Sequence, residues 1–450
     1  MPHKIKVSRY TTNITKIKKN KNKNKKTRYA REQTKKHKFY IVRCNAGLYT
    51  SLDYSILASH LRTLGLIPDT NTMSYVEKQY NILAARNKLS MSEFCESYNR
   101  NLVVKIPRGL VNADVIFYNI NSILLDKPFY NYPKFLCNSI NLDYSILNKD
   151  MIYTNILKYN SSRQLNINHF IEIFQLTNKE NKKISKNIHF PGNYILRPVF
   201  GFGGRDIFYI HNAKDLEKAQ QYYNTHKDFR DRLYLQDEIT VARIITDLLL
   251  FKGRKFHLRM YYIVAVLEGE ISCFLLDTGK IITAKNPYNL EVPFRKEVHD
   301  THLGSTDADY FYPKDLTLKN ISSLDKHDYS KDKFDTNTIL EGIMQIAKGI
   351  SNIVKGIYGD NPKSLLYENQ QNGYYIYGLD ILVRDNLEPV LVECNNQTGF
   401  SFHSMEAKTE LSEIVYGWIN ETILEPLFKY PGKATSNARK HRTYIPLIDS

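Results

Sequence analysis

The chain has 450 residues, enough for about two to four domains of ordinary size. Hydrophobic residues make up 42% of it and charged residues 24%, which excludes a largely disordered or fibrous protein. The formal net charge is +17, but residues 1–38 hold fifteen Lys and Arg side chains against one acid, Glu32, for a net of +14, whereas the rest of the chain carries +3. The basic character therefore belongs to an N-terminal arm.

No apolar run approaches the ~18–20 residues of a membrane span, and no apolar segment follows the basic N-terminus as a secretory signal requires. The cysteines occur singly, without the paired spacing of a disulfide framework or a zinc site: Cys44, Cys95, Cys137, Cys273 and Cys394. We therefore expect a reducing, cytoplasmic or nuclear setting, with the cytoplasm as the location, and no membrane partner.

Residues 1–37 are predicted to form a disordered basic arm, because they lack the apolar residues needed to pack. Strands are expected at residues 39–43 and 113–118, with a helix at 54–66 between them. This alternation predicts a small N-terminal α/β domain over residues 38–150.

The next block, residues 151–430, shows strand patterns and one strong helix pattern. Strands are expected at residues 192–197, 207–210, 233–235 and 256–267. Residues 271–276 are expected to pair with the last of these strands across a turn at 268–270. A helix is expected over residues 214–223, capped by Asn212, and a loop over residues 313–335. Ile339 to Ile357 place apolar residues on one helical face, and Gly359 can end that helix. Residues 374–383 and 389–394 predict an antiparallel hairpin, and 431–450 are expected to be a C-terminal tail.

A glycine-rich loop follows the predicted strand that ends at Arg197. Gly201, Gly203 and Gly204 would let backbone N–H groups converge on an anion, and Arg197 and Arg205 would add charge. The alternative is a tight turn that merely needs positive φ. The spacing does not match a dinucleotide fingerprint.

The predicted hairpin brings acidic side chains together. Glu393 and Asn395 are two apart on one strand and share a face, and Asp380 on the partner strand can join them. Two carboxylates and an amide oxygen suit Mg²⁺ that bridges nucleotide phosphates. The alternative is an ordinary solvated strand with alternating charges.

A basic stripe precedes the long apolar strand. Lys255, His257 and Arg259 would share one strand face, where they either meet an anionic partner or lie exposed to solvent. His299 and His302 could suggest zinc, but without cysteine companions they are better explained as surface or supporting residues.

Taken in chain order, these elements resemble the ATP-grasp superfamily and specifically the tubulin-tyrosine ligase-like family. The resemblance covers residues 168–400, about half of the chain. The segments that carry it are Asn168-His169-Phe170, Leu176 to Lys179, Arg197-Pro198 with Gly201 to Asp206, Arg254 to Arg259, His302-Leu303, Gly378-Leu379-Asp380 and Glu393-Cys394-Asn395. The last two resemble the family's magnesium-binding pieces and are the most specific.

The chain departs from the family pattern at several positions, among them Arg197, Asp237 and His257. Arg197 replaces the first phosphate-binding lysine, which keeps the charge but not the shape. Asp237 falls where the second phosphate-binding lysine of the family is expected. The resemblance assigns its two neighbours, Gln236 and Glu238, to nucleotide binding. His257 replaces an aspartate.

The resemblance implies an ATP-grasp fold of α+β subdomains that close on ATP and Mg²⁺. The implied reaction joins a free amino acid (tyrosine, glutamate or glycine) to a protein carboxylate through an acyl phosphate. Asp380, Glu393 and Asn395 would hold Mg²⁺; Arg197, Gly203, Gly204, Gln236, Glu238, Lys255 and Asp380 would contact the nucleotide; and Arg259 and Arg205 would be catalytic.

Two partner classes fit the basic arm. A +14 segment would attract an acidic protein or peptide such as a tubulin tail. It would equally bind nucleic acid through phosphate contacts, in which case the protein would be a catalytically weak ATP-grasp module or a nucleic-acid-associated protein. Asp237 favours this alternative, because a carboxylate does not bind phosphate without a metal.

Overall fold

The structure is a computed structural model. It describes residues 38–41, 51–71, 114–117, 136–137, 149–160, 165–177, 188–198, 206–225, 238–251, 253–289, 296–299, 336–366, 370–395, 405–441 and 443–445, with single positions between them, among them Thr301. The predicted basic arm, glycine loop, strand at 233–235 and loop at 313–335 lie outside the described residues.

One large mixed sheet dominates the described part of the chain. It has ten strands: β1 (Lys38–Ile41), β2 (Ile67–Pro68), β3 (Val115–Phe117), β4 (Leu136–Cys137), β9 (Leu250–Phe251), β10 (Arg254–Leu267), β11 (Glu270–Thr283), β12 (Asn372–Val383), β13 (Pro389–Asn395) and β14 (Tyr444–Ile445). Its main path runs β14-β11-β10-β12-β4-β3-β1-β2, with β13 pairing with β12 and β9 with β10. Its central pairs, β10 with β11 and with β12, are antiparallel, whereas β1 to β4 join in parallel.

A second sheet of four antiparallel strands contains β5 (Ile173–Thr177), β6 (Tyr194–Pro198), β7 (Phe208–Ile210) and β8 (Glu238–Arg243), in the order β5-β8-β6-β7. β8 was not predicted, since the sequence pattern indicated a strand a few residues earlier. The helix α3 (Ala213–Thr225) packs on this sheet through Leu216, Ala219 and Tyr223. The Asn212 side chain accepts from the Asp215 amide at 3.1 Å, which confirms the predicted cap.

Both faces of β10 are buried, each against different helices. Met260, Tyr262, Val264 and Val266 belong to the core formed with α5 (Thr336–Tyr358), which confirms the predicted helix. The alternate residues Tyr261, Ile263, Ala265 and Leu267 pack with α1 (Ser51–Thr63) and α6 (Met405–Ile419). The period of two in a strand thus explains why this whole stretch reads as apolar.

Smaller helical segments complete the described chain. They are α2 (Lys149–Tyr159), a 3₁₀ turn (Ile167–His169), α4 (Lys296–His299), a second 3₁₀ turn (Pro362–Leu365), a π-helical turn (Asn420–Leu424), α7 (Glu425–Lys429) and α8 (Ala434–Ala438). α2 lies against α5, where Gly356 leaves room for Tyr159, because a Cβ there would stand 2.1 Å from its ring. No helix in the described ranges has the length and apolar character to cross a membrane.

Both predicted hairpins are confirmed. β10 and β11 pair antiparallel across the turn at Glu268 and Gly269, both at positive φ, and β11 runs on to Thr283 rather than ending near residue 276. β12 and β13 pair antiparallel across residues 384–388. The longer β11 adds Lys280 to the strand, and that residue bears on the site.

The N-terminal strands and the C-terminal segment both join the large sheet. β4 pairs in parallel with the start of β12, so hydrogen bonds cross the domain boundary predicted near residue 150. β14 pairs with β11 at the sheet edge, and the Glu268 carboxylate accepts from the Ala434 amide at 2.8 Å. These contacts do not test the predicted domain boundaries, which remain predictions.

Candidate functional site

The acids predicted on the β12–β13 hairpin meet Arg259 in one row across three strands. Arg259 lies opposite Asp380, and Asp380 lies opposite Glu393. Directly opposed residues project to the same face of a sheet, and Asn395, two residues beyond Glu393, shares that face. Because the intervening Leu379 belongs to the core on α5, the row occupies the opposite face.

Gly378 makes room for the Arg259 side chain. It precedes Asp380 by two residues and therefore lies on the same face. A Cβ at Gly378 would stand 2.9 Å from Arg259 Cδ and 3.3 Å from its Nε. A larger residue here would push the guanidinium away from Asp380, so the Gly-Leu-Asp order has a local steric reason.

Arg259 and Asp380 form a buried, two-pronged ion pair. Arg259 Nε donates to Asp380 Oδ1, and Nη2 donates to Oδ2 at 2.9 Å. Only 7% of Arg259 and 3% of Asp380 are exposed. Burial alone would lower the pKa of Arg259, but the Asp380 charge and hydrogen bonds raise it above its usual value. The arginine therefore stays charged and holds the carboxylate in a fixed orientation.

His257 supports the same carboxylate from the next position on its strand face. Its Nδ1 lies 2.6 Å from the Thr301 hydroxyl, and its Nε2 lies 3.5 Å from Asp380 Oδ1. We assign the tautomer that carries its proton on Nε2, since a lone pair there would face an anionic oxygen. His257 and Arg259 are buried, so the exposed-stripe alternative is wrong for both, while Lys255 is half-buried.

Arg197 reaches this row from the four-stranded sheet. Its Nη1 donates to Glu393 Oε2 and its Nη2 to the Val392 carbonyl, both at 3.3 Å. The Thr240 hydroxyl on β8 donates to the Arg197 carbonyl at 3.0 Å and ties β6 to its neighbour. Burial lowers the pKa of Arg197, and the Glu393 charge opposes this. The residue predicted to bind phosphate thus lies directly beside a predicted metal ligand.

Asn395 joins the two acids. Its Nδ2 donates to Asp380 Oδ2 and to Glu393 Oε1, each at 3.0 Å, so these oxygens are separated by at most twice that distance. Mg²⁺ takes oxygen ligands at about 2.1 Å and prefers one or two carboxylates completed by phosphate and water. Among the described residues no cluster of three or more His, Cys, Asp or Glu forms a metal site. The predicted set therefore fits Mg²⁺ with nucleotide, provided that Asn395 turns its carbonyl oxygen inward.

Lys280 is a further residue of this site, and the sequence pattern did not predict it. It lies opposite Arg259 on β11, only 7% exposed, beside Gly279, where a Cβ would stand 2.5 Å from the Arg259 carbonyl oxygen. Burial and the Arg259 charge lower the pKa of Lys280 to about 7, although the Asp380 charge opposes the shift. The available signal was a lysine directly before the apolar pair Ile281 and Ile282, beyond the strand expected at residues 271–276.

His299 lies in a basic and aromatic cluster next to the start of β10. Its ring centroid lies 5.7 Å from that of Tyr209 and 5.6 Å from that of Tyr288. Burial, with the charges of Lys255 and His211, lowers the pKa of His299 to about 4. A neutral imidazole between rings is consistent with a supporting role, and the zinc alternative also needs His302, which is outside the described residues.

Several predicted site residues lie outside the described residues. Arg205, Gly203, Gly204, Gln236 and the side chain of Glu238 are outside what the structure describes, as is Asp237. Their assignments remain predictions. The structure brings together Arg197, Arg259, Asp380, Glu393 and Asn395.

Comparison with known proteins agrees with this architecture. The tubulin-tyrosine ligase family profile matches residues 131–434, more than half of the chain. A probable alpha-tubulin polyglutamylase of Tetrahymena thermophila is 23% identical over 228 residues, 50% of this chain and 53% of that protein, so the chain spans about half the length of this curated relative.

A solved structure of similar fold is the C-terminal domain of K. lactis Pby1, an ATP-grasp enzyme interacting with the mRNA decapping enzyme Dcp2. It superposes with a TM-score of 0.54 at 16% identity, covering 92% of this chain and 99% of that domain. The expected resemblance and fold are thus confirmed. The chain belongs to the tubulin-tyrosine ligase family and has an α+β ATP-grasp fold.

Proposed function

We propose that this protein is an ATP-dependent ligase that joins an amino acid to a carboxylate of an acidic protein or peptide. The observation that carries the proposal is the row Arg259, Asp380 and Glu393, which Arg197 reaches from the facing sheet. Family membership and fold support the reaction class. The curated relative makes tubulin the first acceptor to test.

The charges at the site match the demands of phosphoryl transfer. A substrate carboxylate oxygen attacks the γ-phosphorus of ATP and ADP leaves; an amine nitrogen then attacks the acyl carbon, and phosphate leaves. Both steps depend on positioning and on neutralising phosphate charge rather than on covalent catalysis by side chains. Arg197, Lys255 and the amides of Gly203 and Gly204 would bind phosphate, with Gln236 and Glu238 beside the nucleotide.

Asp380, Glu393 and Asn395 would hold Mg²⁺, which when bound neutralises phosphate charge. The buried Arg259 fixes Asp380 through two hydrogen bonds, so the ligand is oriented before the cation arrives. Arg259 and Arg205 would face the anionic reacting group and stabilise its charge. Lys280 adds a positive or neutral amine beside Arg259, depending on pH.

The proposal is tested by incorporation of labelled amino acids. Tyrosine, glutamate and glycine are offered separately with ATP and Mg²⁺ to tubulin and to an acidic peptide, using the full chain and Glu393→Gln. Incorporation that needs ATP and Mg²⁺ and falls at least about tenfold in the variant supports the ligase. Incorporation equal in both proteins would refute the assigned site.

The basic arm supports a second candidate, a nucleic-acid-associated module with weak or no ligase activity. Residues 1–38 carry a net +14, and Asp237 stands where the family pattern leads one to expect a phosphate-binding lysine. Salt-dependent DNA or RNA binding that is lost when residues 1–37 are deleted, together with no amino acid incorporation, would favour this candidate.

A further inference from the structure

The site contains two arginine–carboxylate pairs of unequal strength. Arg259 and Asp380 lie on paired strands of one sheet, make two hydrogen bonds, and have side chains only 8% and 5% exposed. Arg197 and Glu393 lie on different sheets and meet through one contact of 3.3 Å, with the Glu393 side chain 17% exposed. The Arg197 pair is therefore the one that another ligand can displace at lower cost.

Arg197 is only partly satisfied by its neighbours. Its second terminal nitrogen bonds the Val392 carbonyl at 3.3 Å, and its buried Nε has no hydrogen-bond partner among the described residues. A buried donor without an acceptor costs free energy that a better acceptor recovers. A phosphate group offers several anionic oxygens and can take parallel bonds from one guanidinium.

Arg197 and a divalent cation would compete for the carboxylate of Glu393. In the row, two carboxylates face two guanidinium groups, and Glu393 is the carboxylate that Arg197 contacts. A cation bound to Glu393 Oε2 would lie near the Arg197 charge, and like charges at such a separation repel strongly in a partly buried site. Moving Arg197 to an anionic group would remove that repulsion.

We propose that Arg197 exchanges Glu393 for the phosphates of a nucleotide, so that the divalent-cation site opens fully only when a nucleotide is bound. This inference rests on the proposed function, since it assumes that Glu393 is a metal ligand. It makes cation and nucleotide affinities positively coupled, and the coupling is reciprocal by linkage. It also means that Arg197 joins the two sheets differently in the free and nucleotide-bound protein.

If Arg197 exchanges partners in this way, loss of its charge should strengthen metal binding to the nucleotide-free protein and weaken ATP binding. In Arg197→Gln, Mn²⁺ should bind the nucleotide-free protein at least about tenfold more tightly than in wild type, because a nearby positive charge is removed. The same variant should bind ATP without metal about tenfold more weakly, because a charge-assisted phosphate contact is lost. Arg197→Lys keeps the charge and should leave nucleotide-free Mn²⁺ affinity near that of wild type.

The measurement is titration of the full chain with Mn²⁺, followed by electron paramagnetic resonance, with and without ATP. Arg243→Gln is the matched control: it removes a charge from the same sheet, where Arg243 lies 6.0 Å from the Tyr194 ring, and should change neither affinity. In Arg197→Gln with Glu393→Gln, the gain in Mn²⁺ affinity should disappear, since the gain acts through Glu393.

Nucleotide-free Mn²⁺ affinity that is unchanged or lower in Arg197→Gln would overturn the exchange. If wild type and Glu393→Gln then still differ in Mn²⁺ binding with ATP, the proposed metal site survives and only the exchange is lost. If Mn²⁺ binding with ATP is the same in wild type and Glu393→Gln, the metal assignment fails and the exchange fails with it. Mn²⁺ binding that is still tighter than in wild type when Arg197→Gln is combined with Glu393→Gln would also refute the exchange.

Discussion

Asp380 and Glu393 are both assigned to Mg²⁺, yet the structure predicts that removing their charges has very different effects on stability. Asp380→Asn and Glu393→Gln each replace a carboxylate by an amide of nearly the same volume. Asp380 is 3% exposed and pairs with an arginine that is 7% exposed. The Glu393 side chain is 17% exposed and its arginine contact is 3.3 Å long.

The magnitudes follow from what each change leaves behind. Asp380→Asn leaves the buried Arg259 charge without its carboxylate, and breaking a buried pair in this way costs about 3–5 kcal/mol. Glu393→Gln removes the carboxylate from a longer, single contact in a less deeply buried pair, so we expect a smaller loss of about 1–2 kcal/mol in the free energy of unfolding. Loss of one charge-assisted cation contact should lower Mg²⁺ affinity in either variant by about ten- to a hundredfold.

Urea denaturation of the two variants and wild type measures the stability difference. Mg²⁺ titration against bound ATP measures the metal effect under conditions where each variant is folded. Equal stability of Asp380→Asn and Glu393→Gln would refute the assignment of Asp380 as the buried partner of Arg259. Unchanged Mg²⁺ midpoints in both would refute the metal site.

Three further predictions address neighbouring residues. Gly378→Ala should destabilise the fold by about 1–3 kcal/mol in urea denaturation, because its Cβ would stand 2.9 Å from Arg259 Cδ, and an unchanged midpoint would contradict the packing. Burial lowers the pKa of Lys280 to about 7, so between about pH 7 and 10 the unfolded state binds more protons than the folded state. Over this range the free energy of unfolding of wild type should therefore rise with pH relative to that of Lys280→Met. Parallel pH profiles of the two proteins would refute this prediction. Burial raises the pKa of the Cys394 thiol, and that of Cys273 to about 11, so alkylation at pH 8 followed by peptide mass spectrometry should leave both unmodified until denaturant is added.

Local patterns were sufficient to predict the parts of the fold that carry the acids. The helix over residues 336–358 and the two hairpins could be predicted because apolar spacing and turn residues act over a few positions. Asp380 and Glu393 could be placed together because strands on either side of a short turn must pair. Family resemblance then indicated what such a pair of acids is for.

The tertiary structure decided which charges face each other. Arg197 meets Glu393 across nearly two hundred residues and two separate sheets, which no local period can indicate. Lys280 lies in the site because β11 extends to Thr283, beyond the strand that the apolar pattern predicted at residues 271–276. Arg259 holds Asp380 through two hydrogen bonds, and Gly378 leaves the space for its side chain. The sequence determined which residues carry charge, and only the folded sheets determined how burial pairs them, because a buried charge needs a partner that distant strands supply.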